Sequence, residues 1–313
     1  MQIVLFSSGS LSLKLIPYLF QNFSKLILVT KPDKPQDRHL KVKPNIVKQT
    51  FLENSTKFSK DTTIFEFESL KKIEQKEKLD ELKRILKETD IAICCDVGLI
   101  IPESFIDLPK IFINIHPSLL PLYRGPSPIQ YTLLNDEKIT GITICLLSKE
   151  VDKGDIILQK IIKIEEDDNF VTLKEKLSQL ALTSFTTFLD LYKNNSINFY
   201  KQDDEKATFT LKIKDTSIDL SKGPIFIHNQ VRAYFPDAYI TFKNKRIKIL
   251  KTKIVERSEL NLDLKENDLF LFSKNRLFFR GFTNKLSEIL ELQVEGKKPI
   301  NSISFINGYL KNV

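Results

Sequence analysis

The sequence predicts an α/β chain in two parts: a Rossmann-like domain with a parallel sheet covered by helices on both faces, followed by a small β-barrel domain. Two patterns carry this reading. Over the first 195 residues short apolar runs alternate with helix-period segments, as in a wound sheet. Beyond residue 210 the pattern changes to short strands separated by turns, which favours a small barrel. Residues 1–195 therefore form the first domain, the polar stretch 196–210 a linker, and 211–313 the second domain.

Strands are expected at 3–6, 26–30, 91–95, 111–115 and 142–147, where apolar and β-branched residues run together. A helix is expected over 70–88, because Leu79, Leu82, Ile85 and Leu86 make one apolar stripe against a face of Lys and Glu. A second helix, over 170–192, carries Leu173, Leu177, Leu180, Phe188 and Leu191 and follows an acidic Asp167-Asp168-Asn169 start suited to a cap. In the second part the short strands fall at 239–242, 247–250, 269–272 and 277–279.

The 42% hydrophobic content is that of a globular chain. No apolar stretch approaches the roughly 20 residues that span a bilayer, so no membrane association is expected. The first residues enter a strand pattern without a basic region, so a cytoplasmic location is expected. Cys94, Cys95 and Cys145 have neither disulfide-framework nor metal-ligand spacing and read as small buried hydrophobes; no metal is expected. The charge is unevenly placed. Residues 1–210 hold 29 Lys+Arg and 29 Asp+Glu, whereas 211–313 hold 19 against 11, so the whole net charge of +8 lies in the second domain. A neutral first part joined to a basic second part suits a polyanion held through its phosphates.

The chemistry concentrates after the fourth expected strand. Asn114 and His116, two residues apart, share one side of the strand. An amide donor beside an imidazole suits a reaction in which a carbonyl oxygen gains charge while a proton moves, as in acyl transfer. Asp152 follows the fifth expected strand, so it is expected at the same sheet edge, where a carboxylate favours and orients the imidazolium. His39 reads as a loop residue and His228 as a helix-surface residue. Ser7-Ser8-Gly9-Ser10-Leu11 lacks the further glycines of a dinucleotide loop, so a turn beside a substrate pocket fits better.

Asn114-x-His116-x-Ser118-Leu119-Leu120-Pro121, then Arg124-Gly125 and the downstream Asp152-x-Gly154, resemble the 10-formyltetrahydrofolate-dependent formyltransferases. The resemblance extends to Lys31-Pro32-Asp33-Lys34-Pro35, Leu99-Ile100-Ile101-Pro102, Pro128-Ile129-Gln130 and Arg232-Ala233-Tyr234-x-Pro236. It implies a formyltransferase catalytic domain, an OB-like C-terminal barrel, Asn114, His116 and Asp152 as the catalytic trio, and 10-formyltetrahydrofolate as co-substrate without a metal. It also implies a folate site at Ser118, Leu119, Leu120 and Pro121, with Val97 and Leu99 from a neighbouring loop. Asp96-Val97 stand where the family usually has Ala-Tyr. The implied acceptor is the α-amine of initiator methionyl-tRNA, in translation initiation. Lys34, Arg38, Lys41 and Lys43 form a basic loop for its acceptor stem, and Lys245, Arg246 and Lys248 bind phosphates on the second domain. A nucleotide-sugar (4-amino sugar) N-formyltransferase would share the trio and the donor, but not these basic elements. A tRNA-binding module with a decayed catalytic part is opposed by the intact trio. No obligate protein partner is implied.

Overall fold

The structure is a computed structural model and describes every residue except 36–41, 44, 61, 72–74, 261–263, 282 and 311–313. The expected loop residues Arg38, His39 and Lys41 lie outside the described residues. Two compact units emerge. The first comprises Met1–Pro128, Ile139–Lys163 and Lys174–Thr210, and the second Ile129–Lys138, Ile164–Leu173 and Leu211–Val313.

In the first unit lie β1 (Gln2–Phe6), β2 (Lys25–Thr30), β3 (Lys34–Pro35), β4 (Val42–Lys43), β5 (Thr62–Glu66), β6 (Ile91–Cys95), β7 (Ile111–His116), β8 (Ile139–Leu146) and β9 (Ile156–Lys163). Seven of them form one sheet in the order β5-β2-β1-β6-β7-β8-β9, and β3 pairs with β4 in a small ribbon. The strands from β5 to β7 are parallel, but β8 runs antiparallel to β7 and β9 antiparallel to β8. The expected parallel sheet is thus a mixed one, with an antiparallel pair on one edge. Chain order reverses between β1 and β6, and at that switch point the loops after the two strands are joined by the Ser8 and Gly9 N–H groups, which donate to the Asp96 carbonyl oxygen at 3.2 and 2.9 Å.

Helices α1 (Leu15–Asn22), α2 (Ile46–Phe58), α3 (Lys76–Lys87) and α4 (Glu103–Ile106) follow these strands; α6 (Phe170–Lys193) belongs to the first unit from Lys174 onward, and α5 (Pro128–Leu134) belongs to the second unit after Pro128. The stripe expected on 70–88 is real although α3 begins only at Lys76. Leu82 and Leu86, with Leu79 and Ile85, pack on Val4, Phe6, Ile27, Val29, Phe65 and Phe112. Every residue of β1 and of β6 is buried, as in a strand covered on both faces. Edge strands β5 and β9 escaped the sequence pattern because each buries only one residue of its run, Phe65 and Ile157.

The second unit contains α7 (Pro224–Tyr234), β10 (Tyr239–Phe242), β11 (Lys245–Glu256), β12 (Lys265–Glu266), β13 (Phe270–Phe272), β14 (Leu277–Phe279), β15 (Lys285–Val294), β16 (Ile300–Asn301) and α8 (Ser302–Phe305). Its antiparallel sheet, ordered β10-β11-β15-β14-β13-β12 with β16 beside β15, is a curled half-barrel. Ile227 and Val231 of α7 pack with Ile247, Ile249, Phe270, Phe279, Ile289 and Phe305 in its core. β15 was hidden in the sequence because Glu288 and Glu291 interrupt its apolar positions. A register shift near Lys251 adds a residue to β11. Arg246 and Lys248 before it, and Lys251 and Lys253 after it, therefore share the face opposite the core residues Ile247 and Ile249.

His228 corrects its sequence reading. It lies half-buried on α7, with Nδ1 at 2.8 Å from Thr252 Oγ1. Burial, then the Arg232 charge, lowers its pKa from 6.5 to about 4. The folded state therefore favours the neutral ring. Between pH 6.5 and 4 the unfolded chain takes up the proton first, so this contribution is complete above pH 6.5 and lost as pH falls towards 4. Its size is on the order of 3 kcal/mol. Urea unfolding at pH 7 and pH 4.5 is expected to show a smaller loss of stability for His228→Gln than for wild type.

Candidate active site

β7 places Asn114 and His116 two residues apart on one face, and both reach the same carboxylate. Asn114 Nδ2 donates to Asp152 Oδ1 at 2.8 Å, and His116 Nδ1 lies 3.5 Å from that oxygen. The other oxygen, Oδ2, accepts the main-chain N–H of Gly125 at 2.7 Å. The far ring nitrogen, His116 Nε2, sits 3.0 Å from the carbonyl oxygen of Tyr123. A ring that donates there turns Nδ1 towards Asp152, so a second proton on the ring would lie between imidazole and carboxylate. Asn114 and His116 are buried, and the Asp152 side chain is only 11% exposed, so the three meet where solvent screens their charges weakly.

The trio comes together by a different route from the one expected. Because β8 is antiparallel to β7, the two strands end at opposite edges of the sheet. Asp152 belongs to the turn between β8 and β9, and that turn folds back to Asn114. Asp152 adopts φ +55° there, a left-handed conformation that only surrounding contacts sustain in a non-glycine residue.

Gly125 is required on two grounds. Its φ is +113°, and a Cβ would meet the Thr210 carbonyl oxygen at 2.7 Å. Gly125→Ala is expected to lower turnover about tenfold or more by moving the N–H that holds Oδ2. Steady-state kinetics beside a thermal melt separate this from unfolding.

Sequence reasoning missed the segment that follows α6. The expected linker 196–210 belongs to the first unit and is strapped to it. Tyr123 N donates to Thr208 Oγ1 at 2.8 Å, and Thr210 N to the Arg124 carbonyl oxygen at 2.8 Å. Arg124 is buried and spends its guanidinium on Gln202 and Asp204. A polar stretch without periodicity gives no sign of such contacts.

The expected folate residues occupy loops after the adjacent parallel strands β6 and β7. Ser118 Oγ donates to the Leu122 carbonyl oxygen at 2.6 Å, Leu120 N to Thr143 Oγ1 at 3.1 Å, and Gln159 Nε2 to the Leu120 carbonyl oxygen at 2.8 Å. Leu120 is buried, Leu119 lies against Gly141, and Leu99 with half-buried Val97 caps the core beneath β6. These loops also carry apolar side chains that face outward, Ile100 at 76% and Leu122 at 37% exposure, beside the half-exposed Pro121. Asp96, φ +52°, turns its carboxylate to the Leu11 N–H and to Lys174 Nζ at 2.8 Å.

The cysteines are inert here. Burial raises all three thiol pKa values, and the Asp152 charge adds to the effect at Cys94 and Cys145. Among the described residues no group of three or more His, Cys, Asp or Glu could hold a metal ion. Among the same residues no helix is long and apolar enough to cross a membrane.

On the second unit, Lys248 Nζ pairs with Asp237 at 2.6 Å and the Arg246 guanidinium lies 3.6 Å from the centre of the Tyr239 ring, while Lys245 is exposed. Lys34 and Lys43 are opposite each other in the β3–β4 ribbon.

Residues 1–189 match the formyl transferase family, and residues 210–310 match the formyl transferase C-terminal domain. The methionyl-tRNA formyltransferase of Hydrogenobaculum sp. (strain Y04AAS1) is 34% identical, with 100% of this chain and 99% of the relative covered. The methionyl-tRNA formyltransferase of Leptospira interrogans is 35% identical over 99% of this chain and 97% of its own length. Among solved structures, an N-formyltransferase from Helicobacter canadensis in complex with folinic acid and dTDP-3-aminofucose is similar with a TM-score of 0.66 at 19% identity, covering 92% of this chain and 98% of that one. HypX from Aquifex aeolicus in complex with tetrahydrofolic acid gives a TM-score of 0.61 at 14% identity, covering 100% of this chain and 48% of that one. At those identities the structures share the fold alone.

Proposed function

The chain belongs to the formyl transferase family in both of its parts, and from that premise we propose that it moves the formyl group of 10-formyltetrahydrofolate to the α-amine of initiator methionyl-tRNA. The observation that carries the chemistry is one carboxylate, Asp152, reached together by Asn114, His116 and the Gly125 N–H. Full-length similarity to methionyl-tRNA formyltransferases supports the acceptor.

The neutral amine attacks the formyl carbon, and the carbonyl oxygen gains negative charge. Asn114 Nδ2 has two protons. One is held by Asp152, and the other is directed at the developing oxyanion. The His116 ring stabilises the same charge, and with Asp152 it carries the proton released by the attacking amine towards the departing folate nitrogen. Ser118, Leu119, Leu120 and Pro121 with Val97 and Leu99 build the donor site. Supporting this, the two loops expose Ile100 and Leu122, apolar surface of the kind that a flat pterin and benzoyl group require. The acceptor is held by Lys34, Arg38, Lys41 and Lys43 on its stem and by Lys245, Arg246 and Lys248 on its phosphates.

Mass spectrometry tests the reading directly. Methionyl-tRNA incubated with the protein and 10-formyltetrahydrofolate is expected to gain one formyl group on its methionine. Efficient formylation of a 4-amino nucleotide sugar, with methionyl-tRNA untouched, would instead establish the sugar acceptor. Changing Lys34, Arg38 and Lys41 to Ala together is expected to raise KM for methionyl-tRNA several-fold and leave donor binding unaltered, as measured by initial rates and by folate titration.

A further inference from the structure

We propose that Gln202 is a positioning residue for formyl transfer, tying the turn that carries Asp152 to the loop that carries Gly125 and so fixing the carboxylate against Asn114 and His116. This rests on the catalytic role proposed above for Asp152. The Gln202 carboxamide spends its whole hydrogen-bonding capacity on these two loops. Its Nε2 donates to the Asp152 carbonyl oxygen at 2.8 Å and to the Gly154 carbonyl oxygen at 2.8 Å. Its Oε1 accepts from Arg124 Nε at 3.0 Å and from Arg124 Nη2 at 2.8 Å.

Each end of this bridge bears on the same carboxylate. On one side Gln202 grips the main chain of Asp152 itself, whose left-handed conformation costs about 1 kcal/mol or more and relaxes if nothing holds it. On the other side it grips a buried guanidinium, and the next residue along the chain supplies the N–H that binds Asp152 Oδ2. The guanidinium bonds are charge-assisted, so the grip on Arg124 is the stronger kind. The strap that presents Gln202 has its own attachments through Thr208 and Thr210, and these survive a change at Gln202. Losing the carboxamide therefore loosens the carboxylate and leaves the strap in place. A misplacement on the order of 1 Å at a reacting group costs up to about 10²-fold in rate.

Four proteins decide the matter: Gln202→Met, which keeps the size and loses every bond; Gln202→Glu, which keeps acceptors for Arg124 and loses both donors; Asp152→Ala; and the Gln202→Met/Asp152→Ala double variant. Both single Gln202 variants are expected to lose about tenfold in kcat with KM for methionyl-tRNA and for the donor within about twofold, with the fold retained and the thermal melt lowered only by the lost hydrogen bonds. In the Asp152→Ala background the Gln202→Met change is expected to cost nothing further, because the group it positions is gone. Wild-type kcat in either Gln202 variant, a rise in KM in place of a fall in kcat, or the same tenfold loss with Asp152 already removed would each overturn the proposal. Asp152→Ala alone at wild-type turnover would instead remove the role of Asp152, so the two failures are told apart.

Discussion

Asp152→Ala is expected to lower turnover by on the order of 10²-fold or more, and Asn114→Ala by a similar factor, with the fold retained. The size follows from what each group does. Removing Asp152 takes away the shared acceptor of Asn114 Nδ2 and the Gly125 N–H and the carboxylate 3.5 Å from His116 Nδ1, so proton transfer and donor alignment fail together. Removing Asn114 takes away the proton aimed at the oxyanion. Because Asn114 donates directly to Asp152 and the two act as one unit, the Asn114→Ala/Asp152→Ala pair is expected to lose far less than the product of the single losses. Single-turnover rates at saturating methionyl-tRNA and donor give the answer, and near-normal rates in both single variants would remove the mechanism.

The second large effect concerns salt. Changing Arg246, Lys248, Lys251 and Lys253 together to Gln is expected to flatten the dependence of tRNA affinity on ionic strength. Each phosphate contact contributes roughly 0.7–0.9 to the logarithmic slope, so four contacts make the slope shallower by about 3. Between 50 and 200 mM salt, wild type then loses roughly 60-fold more affinity than the variant. The register shift in β11 gives this prediction its structural basis, because without it the strand's alternation would send Lys251 and Lys253 to the core side. There is a competing use for these charges. Lys251 stands opposite Glu291 and Lys253 opposite Glu288 across the ladder, and Lys248 already pairs with Asp237. If the two proteins show identical slopes in fluorescence titrations, the basic residues serve the sheet and the polyanion is bound elsewhere.

Local chemistry was legible in this chain, and long-range chemistry was not. Asn114 and His116 could be paired from their spacing because a strand's period of two is a local property. Expected strands 91–95, 239–242 and 277–279 coincide with β6, β10 and β14, since each is an apolar run bounded by turns. Asp152 was found by its surroundings, yet its approach was misjudged. Nothing in a strand's own residues says whether it will run parallel or antiparallel to its neighbour, and β8 runs antiparallel. The same limit explains Gln202 and Arg124, whose partners lie 48 to 80 residues away. A polar stretch such as 196–210 looks like any linker until the surface it binds is known.

The order in which the ribosome delivers these parts has a consequence for the growing chain. Asn114, His116 and Asp152 emerge first, and Gln202, Thr208 and Thr210 emerge only about 50 residues after Asp152. A nascent chain that has reached only Asn195 therefore holds every side chain of the proposed chemistry without the bonds from Gln202, Thr208 and Thr210 that steady the loops of Asp152 and Gly125. Segments 129–138 and 164–173 wait longer still, because the rest of their compact unit begins at Leu211. Activity would then appear late in synthesis as a step, and a chain released early would be inert with its reacting groups intact.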